Sequence, residues 1–300
     1  MKARFDELLH RAQAAYARAG LDEALGLFEQ AESLAHEIGD NDLVETAYCQ
    51  RVFVLNQMGR GEQEIPELKK LFLRSSNQKN RWSAAYNLSD AYCAINDAES
   101  ARGWAERASH VASEVGDADL RIRSMNTWGR LALQTSHFDD AEAIFSDMLD
   151  ANDAAQRLQP ENTNQVIDNL GYTLMCTGRI DDGIALCERA REGFEAVGAE
   201  HLLYETLQDL CYGHLLADNL DRARECGERA LDLAIEFEDD QVAKNCLFLL
   251  SETAVRHGDT FRARRYLREL TAYYPEVGIS EEIIDVFLAT DLTSVVNLRG

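Results

Sequence analysis

The chain has 300 residues, 46% of them apolar, with only 18 glycines and three prolines. That is enough apolar side chain for a continuous core, and so few breakers exclude a β-rich fold with many tight turns and point to helix after helix. Acidic side chains outnumber basic ones 53 to 30, a formal charge of −23 with neither half of the chain basic, which excludes a broad basic face for nucleic acid or an anionic membrane surface.

In chain order, Met1 to Glu7 leads directly into an amphipathic pattern, without the apolar core of a signal peptide. No window approaches 18 uninterrupted apolar residues, so no membrane span is expected and the compartment reads as cytoplasmic. A segment of the form turn, apolar residue, acid, any residue, small residue then recurs. It is clearest at Gly20–Ala24, His137–Ala141, Arg179–Gly183, Asn219–Ala223 and Asp259–Ala263, and weaker at Asp97–Ala101 and Gly61–Ile65. The last residues, 24, 65, 101, 141, 183, 223 and 263, are separated by 41, 36, 40, 42, 40 and 40 positions. A near-constant step marks a repeat architecture.

Around each anchor the residue types define two helices. Seven residues on, two turns along the same face, stand Ala31, Ala108, Ala190 and Ala230, and small residues there let a neighbouring helix approach closely. Twelve residues before the anchor a small residue follows a large one, as in Leu88-Ser89, Trp128-Gly129, Leu170-Gly171 and Leu210-Cys211. Gly39, Gly116 and Gly198, each after an apolar residue, read as left-handed helix C-caps. The copy with Phe53, Ile65 and Phe72 departs most, and Pro66 beside its anchor delays or kinks its second helix. After the last copy, Ser280-Glu281-Glu282 opens a short helix whose Ile283, Ile284, Phe287 and Leu288 share one face, a lid on the last core layer. The tail 291–300, with Leu292, Val295, Val296 and Leu298, is apolar and either packs back or meets a partner.

With Asn169-Leu170-Gly171, Thr127-Trp128-Gly129, the turn and anchor, the Ala223/Ala230 pair and Pro275 twelve residues after Ala263, the chain resembles the tetratricopeptide repeat (TPR) family over about residues 5–277. It looks like the long-helix bacterial kind. The resemblance implies an all-α, right-handed superhelical solenoid of about seven helix-turn-helix repeats plus a C-terminal capping helix. The expected layout is one domain over 1–290, with repeats at about 5–40, 45–78, 82–117, 121–153, 163–199, 203–239 and 243–277, a cap helix at 280–289 and a tail at 291–300. No repeat buries its apolar face alone; stacked neighbours do so together.

By the same resemblance, first helices line a concave groove. Its expected peptide-binding residues are Arg51, Tyr86, Asn87, Asp90, Arg123, Asn126, Arg130, Gln165, Asn169, Tyr172, Gln208 and Tyr212, with Asp168, Glu205, Asp209, Asn245 and Arg256 at matching positions. Asn and Gln amides both donate and accept, as a peptide backbone requires, and Arg pairs bidentately with carboxylates. Asn87 and Arg123 match two positions of the family's carboxylate clamp, while the matching lysines are absent.

Enzyme signatures are missing. None of the seven histidines stands in a metal-ligand spacing, and no nucleophile elbow, phosphate loop or dinucleotide fingerprint occurs. The seven cysteines include no C-x-x-C pair and read as small buried hydrophobes. Carboxylate pairs such as Asp139-Asp140 and Asp181-Asp182 recur with the repeat, which marks them as architectural. The expectation is therefore a non-enzymatic adaptor or regulator with no catalytic residue, cofactor or metal. It would hold a protein or extended peptide, favoured to carry basic patches because of the −23 charge, and would bind neither nucleic acid nor membrane. A sensor of a small peptide or ligand that changes superhelix pitch, and a structural subunit of a larger assembly, are the alternatives.

Overall fold

A computed structural model describes residues 1–155, 158–275, 280–290, 293 and 297–299. Among these, fifteen α-helices account for the regular structure, with one short 3-10 turn and no strand. In order they are α1 (Lys2–Ala17), α2 (Leu21–Ile38), α3 (Asn41–Gln57), α4 (Ile65–Arg74), α5 (Gln78–Ala94), α6 (Ala98–Val115), α7 (Ala118–Gln134) and α8 (Phe138–Ala155). Then follow α9 (Pro160–Cys176), α10 (Ile180–Val197), α11 (Glu200–Leu216), α12 (Leu220–Glu236), α13 (Asp240–Arg256), α14 (Thr260–Thr271) and α15 (Glu281–Ala289). The 40-residue step arises from helices of 17 and 18 residues, as in α5 and α6, linked by turns of only two or three residues.

The helix ends follow from side-chain chemistry. Asp40, Asn77, Asp97, Asp117, Asp239 and Asp259 each accept a hydrogen bond from a backbone N–H at the start of the next helix, satisfying donors that have no intrahelical partner. Gly39, Gly116 and Gly198 end α2, α6 and α10 at φ of 75°, 72° and 71°, the left-handed conformation expected from their position.

The chain divides into two compact units, Met1–Thr135 and Ser136–Gly300. In the first, α1–α7 pack in order on their sequence neighbours, except that α3 packs directly on α5. The anchor alanines Ala24 and Ala101 and their two-turn partners Ala31 and Ala108 are fully buried. The second hairpin is the irregular one. Pro66 sits in the first turn of α4, behind a 3-10 turn at Glu62–Glu64, and the helix is only ten residues long. Its core residues are Leu68 and Leu71, while the anchor-register Ile65 and Phe72 are only partly buried.

In the second unit α9 packs on α8, α10 and α11, α11 on α10, α12 and α13, and α13 on α12 and α14. Neighbouring first helices α9, α11 and α13 thus touch directly. The anchors Ala223 and Ala263 and the two-turn partner Ala230 are fully buried. Between α9 and α10 the backbones nearly meet: a Cβ on Gly183 would lie 2.5 Å from the Gly171 carbonyl oxygen, and one on Gly171 would lie 2.6 Å from Cys187 Sγ. Glycine at both positions is what sets the depth of α9.

The closing helix α15 forms where expected, with Ser280 at its N-cap. Its apolar face is narrower than the sequence pattern: Ile284 is buried, Phe287 and Leu288 are half-buried, and Ile283 is exposed. The fixing contacts are polar, from Arg264 and Arg268 to Glu281 and from Arg264 to Asp285. Of the apolar tail residues, Leu292, Val295 and Val296 lie outside the described residues, whereas Leu298 is buried.

Candidate functional site

The twelve expected groove residues fall on α3, α5 and α7 in the first unit and on α9 and α11 in the second. In the first unit they are used unequally. Arg51 on α3 is held by Glu32 at 2.8 Å and Glu64 at 3.2 Å and lies over the Tyr48 ring, so its guanidinium is already engaged. Asn87 on α5 is buried, and its amide donates to the Cys49 carbonyl at 2.8 Å, joining α5 to α3 rather than facing outward. The exposed members are Arg123 and Arg130 on α7, with Asn126 half-buried between them. Arg123 lies over the Tyr86 ring at 6.0 Å, and Tyr86 stacks on Trp82. Burial pushes the Asp90 carboxyl up to about 6, against the opposing pull of Arg123.

The second unit assembles a tighter constellation. The 40-residue repeat puts Gln165 and Glu205 at equivalent positions, likewise Asp168 and Gln208, Asn169 and Asp209, and Tyr172 and Tyr212. Because α9 and α11 are neighbours, Asp168, with 6% of its side chain exposed, and Asp209, with none, are brought to one point. That point is filled by Arg299. Its Nη2 lies 2.5 Å from Asp209 Oδ2 and 3.3 Å from Asp168 Oδ2, and its Nη1 lies 2.9 Å from Glu205 Oε2. The guanidinium also sits over the Tyr172 ring at 5.4 Å.

The residues preceding Arg299 are held through their backbone and amide groups. Leu298 N–H donates to the Tyr172 hydroxyl at 2.9 Å, and that hydroxyl donates to Asn297 Oδ1 at 3.0 Å. Asn245 Nδ2 on α13 donates to the Leu298 carbonyl at 3.0 Å and to Gln208 Oε1 at 2.9 Å. Gln208 in turn donates to Asp209 at 3.2 Å. Further back, Arg256 on α13 donates to Thr293 Oγ1 at 2.9 Å. Three adjacent first helices therefore grip a short segment by its main chain and insert its one cation between two buried carboxylates.

The electrostatics follow from burial. Taking the Asp168 and Asp209 carboxyls out of water raises both above the usual carboxylate range; their mutual repulsion raises Asp168 further, and Arg299 opposes the rise in both. Burial alone would lower the Arg299 guanidinium, but the three carboxylates outweigh it and hold it charged. The fit is incomplete. Arg299 Nε is buried with no hydrogen-bond partner, an omission worth about 1–3 kcal/mol, whereas Asp168 also meets the Thr206 hydroxyl.

Among the described residues no group of His, Cys, Asp and Glu side chains is arranged to hold a metal, and no helix is long and apolar enough to cross a membrane. Five of the seven cysteines are buried, Cys176 is half-buried and Cys93 is exposed. The sequence pattern had pointed to Asp168, Glu205, Asp209 and Asn245 as groove positions; it had not assigned Asn297 and Arg299. The available signal was a single arginine, two residues after an asparagine, in a tail that also carries four large apolar residues.

No protein-family model and no curated protein matches the sequence. Solved structures match the fold. One is a STAND signal-transduction ATPase with a tetratricopeptide repeat sensor from Pyrococcus horikoshii, with a TM-score of 0.71 and 13% identity over 96% of this chain and 45% of that one. The chain thus spans under half the length of that protein. A second is the apo form of RapI, with a TM-score of 0.69 and 11% identity over 91% of this chain and 98% of that one. A third is NprR in complex with its cognate peptide NprX, with a TM-score of 0.67 and 11% identity over 96% of this chain and 83% of that one. The chain thus shares the all-α helical-repeat fold of these structures, one of which carries a tetratricopeptide repeat sensor.

Proposed function

We propose that this chain is a non-enzymatic regulator or adaptor that holds a protein or peptide segment along the first-helix faces of its repeats. The observation that carries this reading is the second unit's treatment of residues 297–299: α9, α11 and α13 bind a short turn of main chain with Tyr172 and Asn245 and seat its arginine side chain on Asp168 and Asp209. That is peptide recognition chemistry, and it uses positions that recur with the repeat. The fold's neighbours support the reading: one of them, NprR, is seen with a cognate peptide. The first unit offers a second patch at Tyr86, Asn126, Arg123 and Arg130, where exposed guanidinium groups beside stacked aromatic rings suit carboxylates and amides. The strongly acidic surface favours a partner with basic patches for fast encounter. The expected setting is the cytoplasm.

The test is affinity capture from the native lysate with wild type and with Arg123→Glu/Arg130→Glu, read by mass spectrometry. Both arginines are exposed, so the double variant keeps its helicity. A polypeptide captured by wild type and lost by the variant supports the reading. Identical capture by the two removes the first-unit patch from it.

A further inference from the structure

Arg299 is the cation of a buried three-carboxylate site, yet it comes from a segment outside the repeats. Inside a repeat array the cheaper way to neutralise Asp168 and Asp209 is a basic residue at an equivalent repeat position, as Arg51 does for Glu32 and Glu64. Here, with the segment in place, the two acids are nearly without solvent contact and their counter-ion comes from a segment after the cap helix. The segment also fits imperfectly, since Arg299 Nε is buried without a hydrogen-bond partner. One Nη2 is shared between two carboxylates, and the fork of the guanidinium is not used in its bidentate form.

We infer that residues 297–299 are an intramolecular stand-in for a ligand, and that the site on α9, α11 and α13 takes an arginine-bearing peptide segment of a separate partner chain, which displaces them. The arginine enters between Asp168 and Asp209; the residue before it donates its N–H to Tyr172 and accepts at its carbonyl from Asn245; an amide oxygen two residues before it accepts from the Tyr172 hydroxyl. An incoming segment whose guanidinium also spends its Nε on one of the two carboxylates satisfies that idle donor and outcompetes the built-in one. The inference rests on the peptide-binding reading above and names the ligand class for one of its two surfaces.

The experiment uses fluorescence anisotropy with a labelled peptide of this chain's own residues 291–300, DLTSVVNLRG. It is titrated against wild type, Arg299→Ala and the triple variant Asp168→Asn/Asp209→Asn/Arg299→Ala. A tethered segment competes at an effective concentration in the millimolar range, so Arg299→Ala binds the peptide at least about tenfold more tightly than wild type. The same peptide with glutamine in place of its arginine does not bind, and the triple variant, which has no buried charge left to neutralise, is folded and does not bind either. If Arg299→Ala alone is poorly folded, the arginine peptide raises its melting temperature and the glutamine peptide does not. A folded Arg299→Ala that ignores the arginine peptide, or binds both peptides equally, makes Arg299 a structural bolt and overturns the inference. So does a wild-type dimer that Arg299→Ala dissociates, because the segment would then belong to a second copy. None of these outcomes touches capture through Arg123 and Arg130, so the failure of the broader reading is seen separately.

Discussion

Replacing Arg299 by alanine removes the guanidinium on which Asp168, Asp209 and Glu205 converge. Glu205 has 44% of its side chain exposed, and its share is that of a surface pair, under about 1 kcal/mol. Asp209 and Asp168 have 0% and 6% exposed. Breaking a buried pair by deleting one partner costs about 3–5 kcal/mol, since the remaining charge is left without compensation. Two reliefs act here: water enters as the segment leaves, and a proton binds the carboxylate pair. The expected loss is therefore at the low end, about 3 kcal/mol, or roughly 6–12 °C for a unit of this size. Urea and thermal unfolding followed by far-UV circular dichroism measure it. The decisive control is a double-mutant cycle with Asp209→Asn, which is expected to give a coupling of at least about 1.5 kcal/mol. A melting temperature within about 1 °C of wild type, with no coupling, would refute the buried ion pair and the site built on it.

The same site sets a pH dependence. Both carboxyls are raised in the folded protein, and losing Arg299 raises them further, so the folded variant binds more protons than its unfolded chain as pH climbs from the normal carboxylate range. Stability of Arg299→Ala then falls with rising pH, and its deficit against wild type is larger at alkaline than at acidic pH; paired melts across that range check the sign. Gly183→Ala puts a Cβ 2.5 Å from the Gly171 carbonyl, and backbone cannot yield as a side chain would. A net loss of about 1–2 kcal/mol is expected despite alanine's better helix propensity, and an equal or higher urea midpoint would contradict the close approach. His214 is 8% exposed, with both ring nitrogens buried and unpartnered, and burial depresses its pKa. Wild-type stability contains a contribution that is lost as pH falls below the free histidine value, and His214→Leu abolishes that part while gaining about 1 kcal/mol at neutral pH, as read by urea midpoints.

Much of the architecture was legible because it is periodic. Ala223, Ala230, Gly171 and the glycine C-caps announce themselves by residue size at a fixed step, and size is what close helix approach requires. The second hairpin was less legible, since Pro66 delays α4 and transfers the core from the anchor register to Leu68 and Leu71. In the site, repeat register identified which positions face the same way but not which of them spend their polar groups on neighbouring helices. Asn87 and Arg51 do so, through Cys49, Glu32 and Glu64, and only the packing reveals it. Arg299 lay beyond any periodic signal: it stands 90 positions from Asp209 and 131 from Asp168, and no spacing rule connects a tail residue to two helices of the array.

Hydrogen–deuterium exchange with and without the arginine peptide addresses the binding claim most directly, because it reports the built-in segment and the receiving helices in one measurement. On adding the peptide to wild type, amides around Asn297–Arg299 are expected to exchange faster as they are displaced, while α9 and α11 stay as protected as before. Unchanged exchange at Leu298 with saturating peptide, or peptide protection confined to helices other than α9, α11 and α13, would contradict the account.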